Sequence, residues 1–414
     1  MDIPESYFSF IAGGDTITPH STLHTSHFTL HTSHSTLHTT FLLLFPPIWA
    51  IIETRLMPCE ANIYSIRFGP NVENSQCGRR FKVTMKGSVG LVIAEKAIRN
   101  ADHEVVNGMR EDFWYDSKGA GKIHGCRWIP QGEIKAVVQI VHGIAEYIER
   151  YDDFANFLNK QGIMVVAEDH MGHGQSVNGD GIQGYFSGGW FTAVEDTMTL
   201  LRGTKLAYPD IPYVLFGHSM GSFMARTILC KYPSSGISAA VICGTGWQPA
   251  ALLPPVIALI DQVCKKNGEE KPSEFLQNLV FGSYNKRVEH PRTEFDWLTR
   301  DVKQVDAYIA HPMCGFTASA GLLRELMIGI SYIEKPESLA AMNKDLPVFF
   351  IAGGDDPVGS YGKGVRKAAE AFQKAGMKNV STRIYPLCRH EILNEINREE
   401  VYEDVVNWIL KSVE

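Results

Sequence analysis

Residues 213–221 have the sequence YVLFGHSMG, in which a short apolar run is followed at once by a serine between two glycines. The apolar run predicts a buried strand, and residues 220–231 predict a helix. A serine in a sharp turn between a strand and a helix projects its hydroxyl above the sheet. The turn needs small residues at both ends, which Gly217 and Gly221 supply. Ser219 is therefore a candidate nucleophile.

The chain on both sides of this motif alternates between apolar strands and helices with one apolar face. The further predicted strands are 136–141, 163–167, 238–243, 347–352 and 380–385. The further predicted helices are one over 151–161 and those over 192–206, 365–374 and 399–411. Such alternation predicts an α/β fold with a doubly wound, mostly parallel sheet and helices on both faces.

The alternation stops between residues 246 and 346, where the sequence is helical and loop-like with apolar patches. An insertion at this point would cover the carboxyl ends of the strands, where open α/β sheets bind ligands. The sequence therefore predicts an N-terminal extension, a core in two parts and a helical cap. Their bounds are 1–108 for the extension, 109–245 and 347–414 for the core, and 246–346 for the cap.

A serine hydroxyl is a poor nucleophile unless a base accepts its proton. In the chain order typical of this arrangement, the serine precedes an acid and the acid precedes a histidine. His390 follows the predicted strand 380–385 and opens a loop before the last helix, so it is the candidate base. The other histidines beyond Ser219 are His290 and His311, which both lie in the predicted cap.

Two adjacent aspartates, Asp355 and Asp356, follow the predicted strand 347–352. We favour Asp356 as the acid, because Pro357 stiffens the turn after it. Asp355 could instead hydrogen-bond the turn. The acid would hold the tautomer of His390 and stabilise its imidazolium form.

The oxyanion of an acyl-transfer reaction needs two preorganised N–H donors. One is expected from Met220, at the N-terminus of the helix after the nucleophile. The second is expected from Ile144, because Gly143 lets the chain bend after the strand 136–141. This chemistry needs no cofactor and no metal.

Asp169 and His173 could be read as a pair of metal ligands. No third ligand lies at a suitable spacing, so loop-bracing hydrogen bonds are the favoured interpretation.

Five blocks in this order resemble the monoacylglycerol lipase and lysophospholipase-like family, also classed with the serine aminopeptidase-like (S33) α/β hydrolases. The blocks are VHGIAEYIERYDDFANFL, EDHMGHGQS, GHSMG, GGDDPV and YPLCRHEILNE. The resemblance covers about residues 112–414 and implies an α/β-hydrolase fold with an inserted helical cap. It implies the same site residues that their positions after the predicted strands indicate. These are the triad Ser219, Asp356 and His390 and the oxyanion amides of Ile144 and Met220. Tyr147 departs from the family, which often has histidine there.

The expected activity is that of a serine hydrolase cleaving carboxylic esters of hydrophobic acyl groups, such as a monoacylglycerol or a lysophospholipid-like ester. The alternative is an aminopeptidase or amidase of the same fold. That activity would need an acidic cluster in the cap to hold the substrate's ammonium group. The acidic residues there lie among lysines and arginines, and they are Glu269, Glu270, Glu274 and Asp296. A non-enzymatic binding protein is a third reading, against which the intact nucleophile, acid and base argue.

The net charge of −7 over 414 residues provides no basic field for nucleic acid. The eight cysteines form no CxxC pair, which favours a reducing compartment and hence the cytoplasm. Since no apolar run reaches about 18 residues, a spanning helix is not expected. The apolar cap is compatible with peripheral contact with a membrane. The oligomeric state stays open.

The first part of the chain holds a low-complexity repeat of seven residues that is rich in serine, threonine and histidine. Its histidines are His20, His24, His27, His31, His34 and His38. On a helix they would share a face and could bind a metal. Serine and threonine disfavour such a helix, so we expect residues 1–108 to be disordered. Translation could also begin at Met57, Met85 or Met109.

Overall fold

The protein is described by a computed structural model that covers residues 108–177 and 182–414. Before residue 108 it describes only the backbone of short strands. These strands are Ile11–Ala12, Asp15–Thr16, Leu30–Thr32, Ser35–Leu37, Thr40–Leu44, Trp49–Glu53 and Ser65–Arg67. The chain divides into two compact units, Met1–Val105 and Val106–Glu414. Most of the predicted disordered segment lies outside the described residues, so its disorder stays a prediction.

The second unit is built on an eight-stranded sheet. Its strands are β1 (Met109–Asp116), β2 (Lys122–Ile129), β3 (Ala136–Val141), β4 (Ile163–Glu168), β5 (Tyr213–His218), β6 (Ala239–Cys243), β7 (Val348–Gly353) and β8 (Val380–Tyr385). They lie side by side in the order β8-β7-β6-β5-β3-β4-β2-β1. All neighbours pair in parallel, except that β2 is antiparallel to both β4 and β1. The predicted α/β-hydrolase fold, with a mostly parallel sheet, is confirmed.

Helices cover both faces of this sheet and fill the insertion after β6. They are α1 (Asp152–Lys160), α2 (Trp190–Ala207), α3 (Met220–Lys231), α4 (Leu253–Asn267), α5 (Glu274–Phe281), α6 (Val302–Ala310), α7 (Ala320–Ile333), α8 (Pro336–Ala341), α9 (Lys363–Lys374) and α10 (Arg398–Val413). The helix predicted from residue 220 has the predicted bounds. The helix predicted from residue 192 begins two residues earlier, at Trp190.

The central strands are buried on both faces, which explains their continuous apolar sequences. All six residues of β3 are buried. Because successive side chains of a strand point to opposite faces, Val137 and Val141 enter the core beneath α2, α3 and α9. Val138 and Ile140 enter the opposite core, beneath α1 and α10. The two cores hold the sheet rigid, so the loops at its carboxyl edge have a fixed base.

The stretch between β6 and β7 contains α4 to α8, as its loss of strand–helix alternation predicts. Part of this insertion continues the core, since Leu322 and Leu323 of α7 are fully buried in the same cluster as α3. That residues 246–346 form a cap domain of their own stays a prediction. Within the part of the chain that the structure describes, no helix is both long and apolar enough to span a membrane.

The close approach of α3 to β3 can be tested through the stability of a Gly221 variant. A Cβ atom at Gly221 would collide with the backbone carbonyl oxygens of Val141 and His142. Gly221→Ala is expected to lower the free energy of unfolding by about 3 kcal/mol, because neither backbone can yield easily. Urea denaturation measures this change.

The matched control is Gly203→Ala in α2, where an added Cβ meets nothing within 4 Å. This exchange is expected to raise the free energy of unfolding by about 0.5–1 kcal/mol. Equal denaturation midpoints for Gly221→Ala and the wild type would contradict the close approach of α3 to β3.

Candidate active site

Ser219 lies at the tip of the turn between β5 and α3. Its φ of 54° and ψ of −121° are values that side chains other than glycine seldom adopt. The Ser219 N–H donates to the carbonyl of Cys243 (3.0 Å), which ties the turn to the end of β6. Since α3 begins directly at Met220, the Ser219 side chain stands at a helix N-terminus. The turn thus has the strained, sharp geometry of a serine placed between a strand and a helix.

His390 lies in the loop between β8 and α10 and is 2% exposed. Its Nδ1–H donates to Asp356 Oδ1 (3.0 Å), and this bond leaves Nε2 as the acceptor on the other side of the ring. Ser219 and His390 line the same cavity. Their side chains do not hydrogen-bond to each other in the described part of the chain, a bond that is often long before substrate binds.

The structure brings Asp356 rather than Asp355 to the histidine. Asp356 is fully buried, and its Oδ1 also accepts a hydrogen bond from the Val358 N–H (2.9 Å). Asp355 is exposed. The two adjacent aspartates therefore differ in position, and Asp356 alone contacts His390. Among the other candidate bases, His290 is exposed, and neither it nor His311 lines the cavity.

The charge of Asp356 acts directly on His390, the candidate base. Burial alone would lower the pKa of His390, but the Asp356 carboxylate and its hydrogen bond outweigh burial and raise that pKa above its ordinary value. Glu391 and Glu146 act in the same direction. An imidazolium at this position is thus stabilised by three carboxylates.

The loop after β3 carries the predicted oxyanion donor. Ile144 and Met220 line the cavity together with Ser219, as an oxyanion site requires. The Gly143 N–H donates to Glu146 Oε1 (2.6 Å), so the turn before Ile144 is fixed from within the loop. A Cβ at Gly143 would lie 2.7 Å from that same oxygen and 3.0 Å from the Ser219 Cβ. Only glycine fits this approach.

A buried ion network connects the loop after β3 to the loop that carries His390. The sequence analysis did not identify this network. Arg150 Nη1 donates to Glu146 Oε2 (2.8 Å) and to Glu391 Oε1 (2.6 Å). Arg150 Nη2 donates to Glu391 Oε2 (2.6 Å). Burial would raise the pKa of Glu391, but the charge of Arg150 holds that pKa below its ordinary value. Burial would also raise the pKa of Glu146, but the hydrogen bond with His218 and the charge of Arg150 hold it well below its ordinary value. A glutamate and an arginine four residues apart, as in EYIER, are the local signal for half of this network.

Other histidines near the site have structural partners. His142 donates from Nδ1 to the Gly143 carbonyl (2.7 Å), and its Nε2 accepts from the His170 N–H (3.0 Å). Burial, together with the neighbouring His170 and His173, holds the pKa of His142 well below its ordinary value. His142 therefore stays neutral and joins the Gly143 carbonyl to the backbone at His170.

The Asp169 and His173 side chains are engaged with different partners. Asp169 accepts from the Ile148 N–H (2.9 Å) and contacts His124 Nδ1 (2.8 Å), so it joins the segment after β3 to strand β2. His173 Nδ1 donates to the Met171 carbonyl (3.1 Å). In the described ranges, no group of three or more His, Cys, Asp or Glu residues is arranged to hold a metal.

The cavity above Ser219 has a volume of about 460 Å³. The insertion supplies most of its walls, and the majority of those residues are apolar. The apolar wall residues include Leu253, Val256, Leu279, Val280, Phe281, Leu326, Met327 and Ile330. Trp297 lies against His390, with the two ring centres 5.1 Å apart. Trp297 is a second site residue that the sequence argument did not identify.

The fold and this cavity define an α/β hydrolase with its candidate nucleophile at the strand–helix turn. A family model described as serine aminopeptidase, S33, matches residues 132–397, well over half of the chain. The chain therefore belongs to the serine aminopeptidase S33 family.

Curated relatives and a solved structure narrow this class. The monoacylglycerol lipase of Mycolicibacterium smegmatis is 28% identical over 310 residues, covering 75% of this chain and all of the relative. The monoglyceride lipase of Mus musculus is 26% identical, covering 66% of this chain and 84% of the relative. A carboxyl esterase from Bacillus coagulans, solved with glycerol, is 29% identical with a TM-score of 0.69, covering 74% and 99% of the two chains. The chain is a monoacylglycerol lipase-like α/β hydrolase and a carboxylic ester hydrolase.

The adjacent aspartates give a matched pair of variants. Asp356→Asn is expected to lower kcat by about 10⁴, because an amide favours the wrong tautomer of the histidine. It is also expected to move the acidic limb of the kcat/KM profile to lower pH, since loss of the carboxylate lowers the pKa of His390. Asp355→Asn serves as the control and should stay within about twofold of the wild type. Inactivation by Asp355→Asn, with activity kept in Asp356→Asn, would reverse the assignment.

Proposed function

We propose that this protein hydrolyses a monoacylglycerol or a lysophospholipid-like ester, with Ser219 as nucleophile, His390 as base and Asp356 as acid. The observation that carries the proposal is one cavity lined by both Ser219 and His390, with the buried Asp356 on the far side of the ring. Its walls are largely apolar, which suits an acyl chain.

The proposed reaction has two acyl-transfer steps. Ser219 attacks the ester carbonyl while His390 Nε2 accepts its proton, and the amides of Ile144 and Met220 receive the oxyanion. The tetrahedral intermediate then expels the alcohol, which takes the proton from His390. Water, deprotonated by His390, attacks the acyl-enzyme in the same way and releases the fatty acid. Asp356 stays ionised throughout and stabilises the imidazolium.

The polar groups of the cavity offer contacts for the alcohol part of the substrate. They include the side chains of Gln248, Asn278, Tyr284 and Trp297. Polar groups that converge in an otherwise apolar pocket orient a ligand. A long acyl chain with a small polar head fits this distribution better than a uniformly polar peptide.

The aminopeptidase alternative is not favoured, because the relatives are monoacylglycerol lipases. Two of the four acidic residues considered for that activity also have other partners. Glu269 pairs with Arg324 (2.9 Å), and Asp296 accepts hydrogen bonds from Arg292 and Thr293. Neither these two nor Glu270 and Glu274 line the cavity. Among the acidic residues of the insertion, which the structure describes in full, Glu294 alone lines the cavity, and a single carboxylate is not the cluster that a substrate ammonium group would need.

We propose a cytoplasmic location with peripheral contact at a membrane. The described cysteines are free and buried, in keeping with a reducing compartment; Cys59 and Cys77 lie outside the described residues. Leu252 and Leu279 line the cavity, and they are 56% and 50% exposed at the surface of the insertion. Such apolar exposure beside the cavity would let a lipid ester pass from a bilayer to Ser219.

Ser219→Ala tests the nucleophile. The exchange is expected to lower kcat for monoacylglycerol hydrolysis by about 10⁶, because no other group forms the acyl-enzyme. Purified wild type should cleave glycerol esters and leave aminoacyl amides intact. Ser234→Ala, at an exposed position after α3, is the control and should keep wild-type kcat. Ester hydrolysis retained in Ser219→Ala would remove Ser219 from its role.

Ile330→Trp tests the acyl wall. Ile330 is 4% exposed and lines the cavity, so a larger ring there shortens the space for the chain. The variant is expected to lower kcat/KM for palmitoylglycerol at least about tenfold, with butyrate esters changed by less than about threefold. Ile330→Val, which removes one methyl group, should preserve both rates within about threefold. An equal loss on both esters in Ile330→Trp would place the acyl chain elsewhere.

A further inference from the structure

The loop that carries Ile144 is held by a segment of the insertion, residues 308–315. The Ala145 carbonyl accepts two hydrogen bonds from it, one from the Tyr308 hydroxyl (2.9 Å) and one from the Gly315 N–H (3.0 Å). The Tyr147 ring stacks on His311, with ring centres 4.3 Å apart and planes 14° apart. We call this set of contacts the loop clasp.

The loop clasp acts on a strained piece of backbone. Ala145 has a φ of 55°, in the left-handed region that costs a residue with a Cβ about 1 kcal/mol or more. Its carbonyl and the Tyr308 hydroxyl are both buried. A buried carbonyl that loses a hydrogen bond is costly, so the two donors keep Ala145 in this conformation.

Ile144 lies between two fixed points. On one side, the Gly143 N–H is held by Glu146 within the loop (2.6 Å). On the other side, the Ala145 carbonyl is held by Tyr308 and Gly315 of the insertion. The direction of the Ile144 N–H therefore depends on a contact with the insertion as well as on the core.

Tyr308 is itself firmly seated. It is 6% exposed, its ring lies 5.2 Å from Phe295, and the Arg150 guanidinium lies 4.8 Å above it. Burial raises the pKa of Tyr308 far above its ordinary value, so the hydroxyl remains a donor at every working pH. The Arg150 contact also joins the ring to the ion network between Glu146 and Glu391.

We propose that Tyr308 is a positioning residue for catalysis, which aims the Ile144 amide at the oxyanion through the Ala145 carbonyl. This inference rests on the proposed function of Ser219 and Ile144. It gives the insertion a role in the chemical step as well as in substrate binding. A displacement of an oxyanion donor affects the transition state more than the ground state, so kcat should change while KM does not.

Tyr308→Phe tests this, because it removes only the hydroxyl and keeps the buried ring. With a soluble butyrate ester, kcat is expected to fall about tenfold, with KM unchanged within about twofold, since Gly315 still holds the carbonyl. The inhibition constant of an alkyl boronic acid, whose tetrahedral adduct on Ser219 occupies the oxyanion position, is expected to rise by a similar factor of about ten. A Tyr308 hydroxyl that only stabilised the fold would change neither kcat nor the inhibition constant.

Tyr213→Phe is the matched control. Tyr213 is also a buried tyrosine whose hydroxyl donates a buried hydrogen bond, to Gln139 Oε1 (2.6 Å), but it lies at the start of β5 and does not line the cavity at Ser219. It should lose thermal stability to a similar extent as Tyr308→Phe and retain wild-type kcat. An equal fall in kcat for both variants would overturn the inference, because it would reflect general destabilisation.

A second variant, His311→Ala, covers the case in which Tyr308→Phe does not fold. It removes the stack on Tyr147 at a half-buried position and is expected to lower kcat about threefold. Two results would overturn the inference in a wild type that hydrolyses esters. One is wild-type kcat in both Tyr308→Phe and His311→Ala, and the other is a raised KM with unchanged kcat in Tyr308→Phe. Absence of ester hydrolysis in the wild type would instead contradict the proposed function.

Discussion

Ser219 has a positive φ of 54°, and much of the fold is arranged to keep it there. The conformation costs on the order of 1 kcal/mol and is stable only where its surroundings determine it. The Ser219 N–H is bonded to Cys243 at the end of β6, and α3 packs at Gly221 directly on the backbone of β3. Three adjacent strands thus hold one hydroxyl above the sheet. Ile144 follows β3, Asp356 follows β7 and His390 follows β8, so the carboxyl ends of these strands bring all three residues to the same edge of the sheet.

The second constraint is electrostatic. His390 is almost fully buried, which by itself disfavours its charged form, and the buried carboxylate of Asp356 reverses that preference. The ion network of Glu146, Arg150 and Glu391 surrounds this pair and connects the loops after β3 and β8. Arg150 is paired on both sides, so its buried charge is balanced where an unpaired guanidinium would be costly. The network therefore positions the site and adds negative potential near the imidazole.

Much of the core could be predicted from the sequence, because its signals are local. Apolar runs gave the central strands, and the position of His390 after a strand separated it from His290 and His311. The choice between Asp355 and Asp356 depended on the direction of side chains within a turn. Asp356 is the one that contacts His390, and its catalytic role stays a prediction. The antiparallel strands β1 and β2 had no predicted bounds. β1 is the edge strand and alternates exposed with half-buried residues, and both strands mix polar with apolar residues, so neither has a continuous apolar run.

The features that the sequence could not predict join residues far apart in the chain. Arg150 meets Glu391 across 241 positions, and Tyr308 meets the Ala145 carbonyl across 163. Such pairs have no periodicity or spacing of their own, so only the folded chain identifies them. Trp297 is similar, because its place beside His390 depends on how the insertion folds back over the sheet.

The catalytic role of Ser219 is tested most directly by a crystal structure of the protein after reaction with an alkyl fluorophosphonate. We expect phosphorus bonded to Ser219 Oγ, with the phosphoryl oxygen accepting hydrogen bonds from the Ile144 and Met220 amides. His390 Nε2 should then lie within hydrogen-bond distance of Ser219 Oγ, and the alkyl chain should run along α4 and α7. An adduct on another residue, or a phosphoryl oxygen that faces away from both amides, would contradict this expectation.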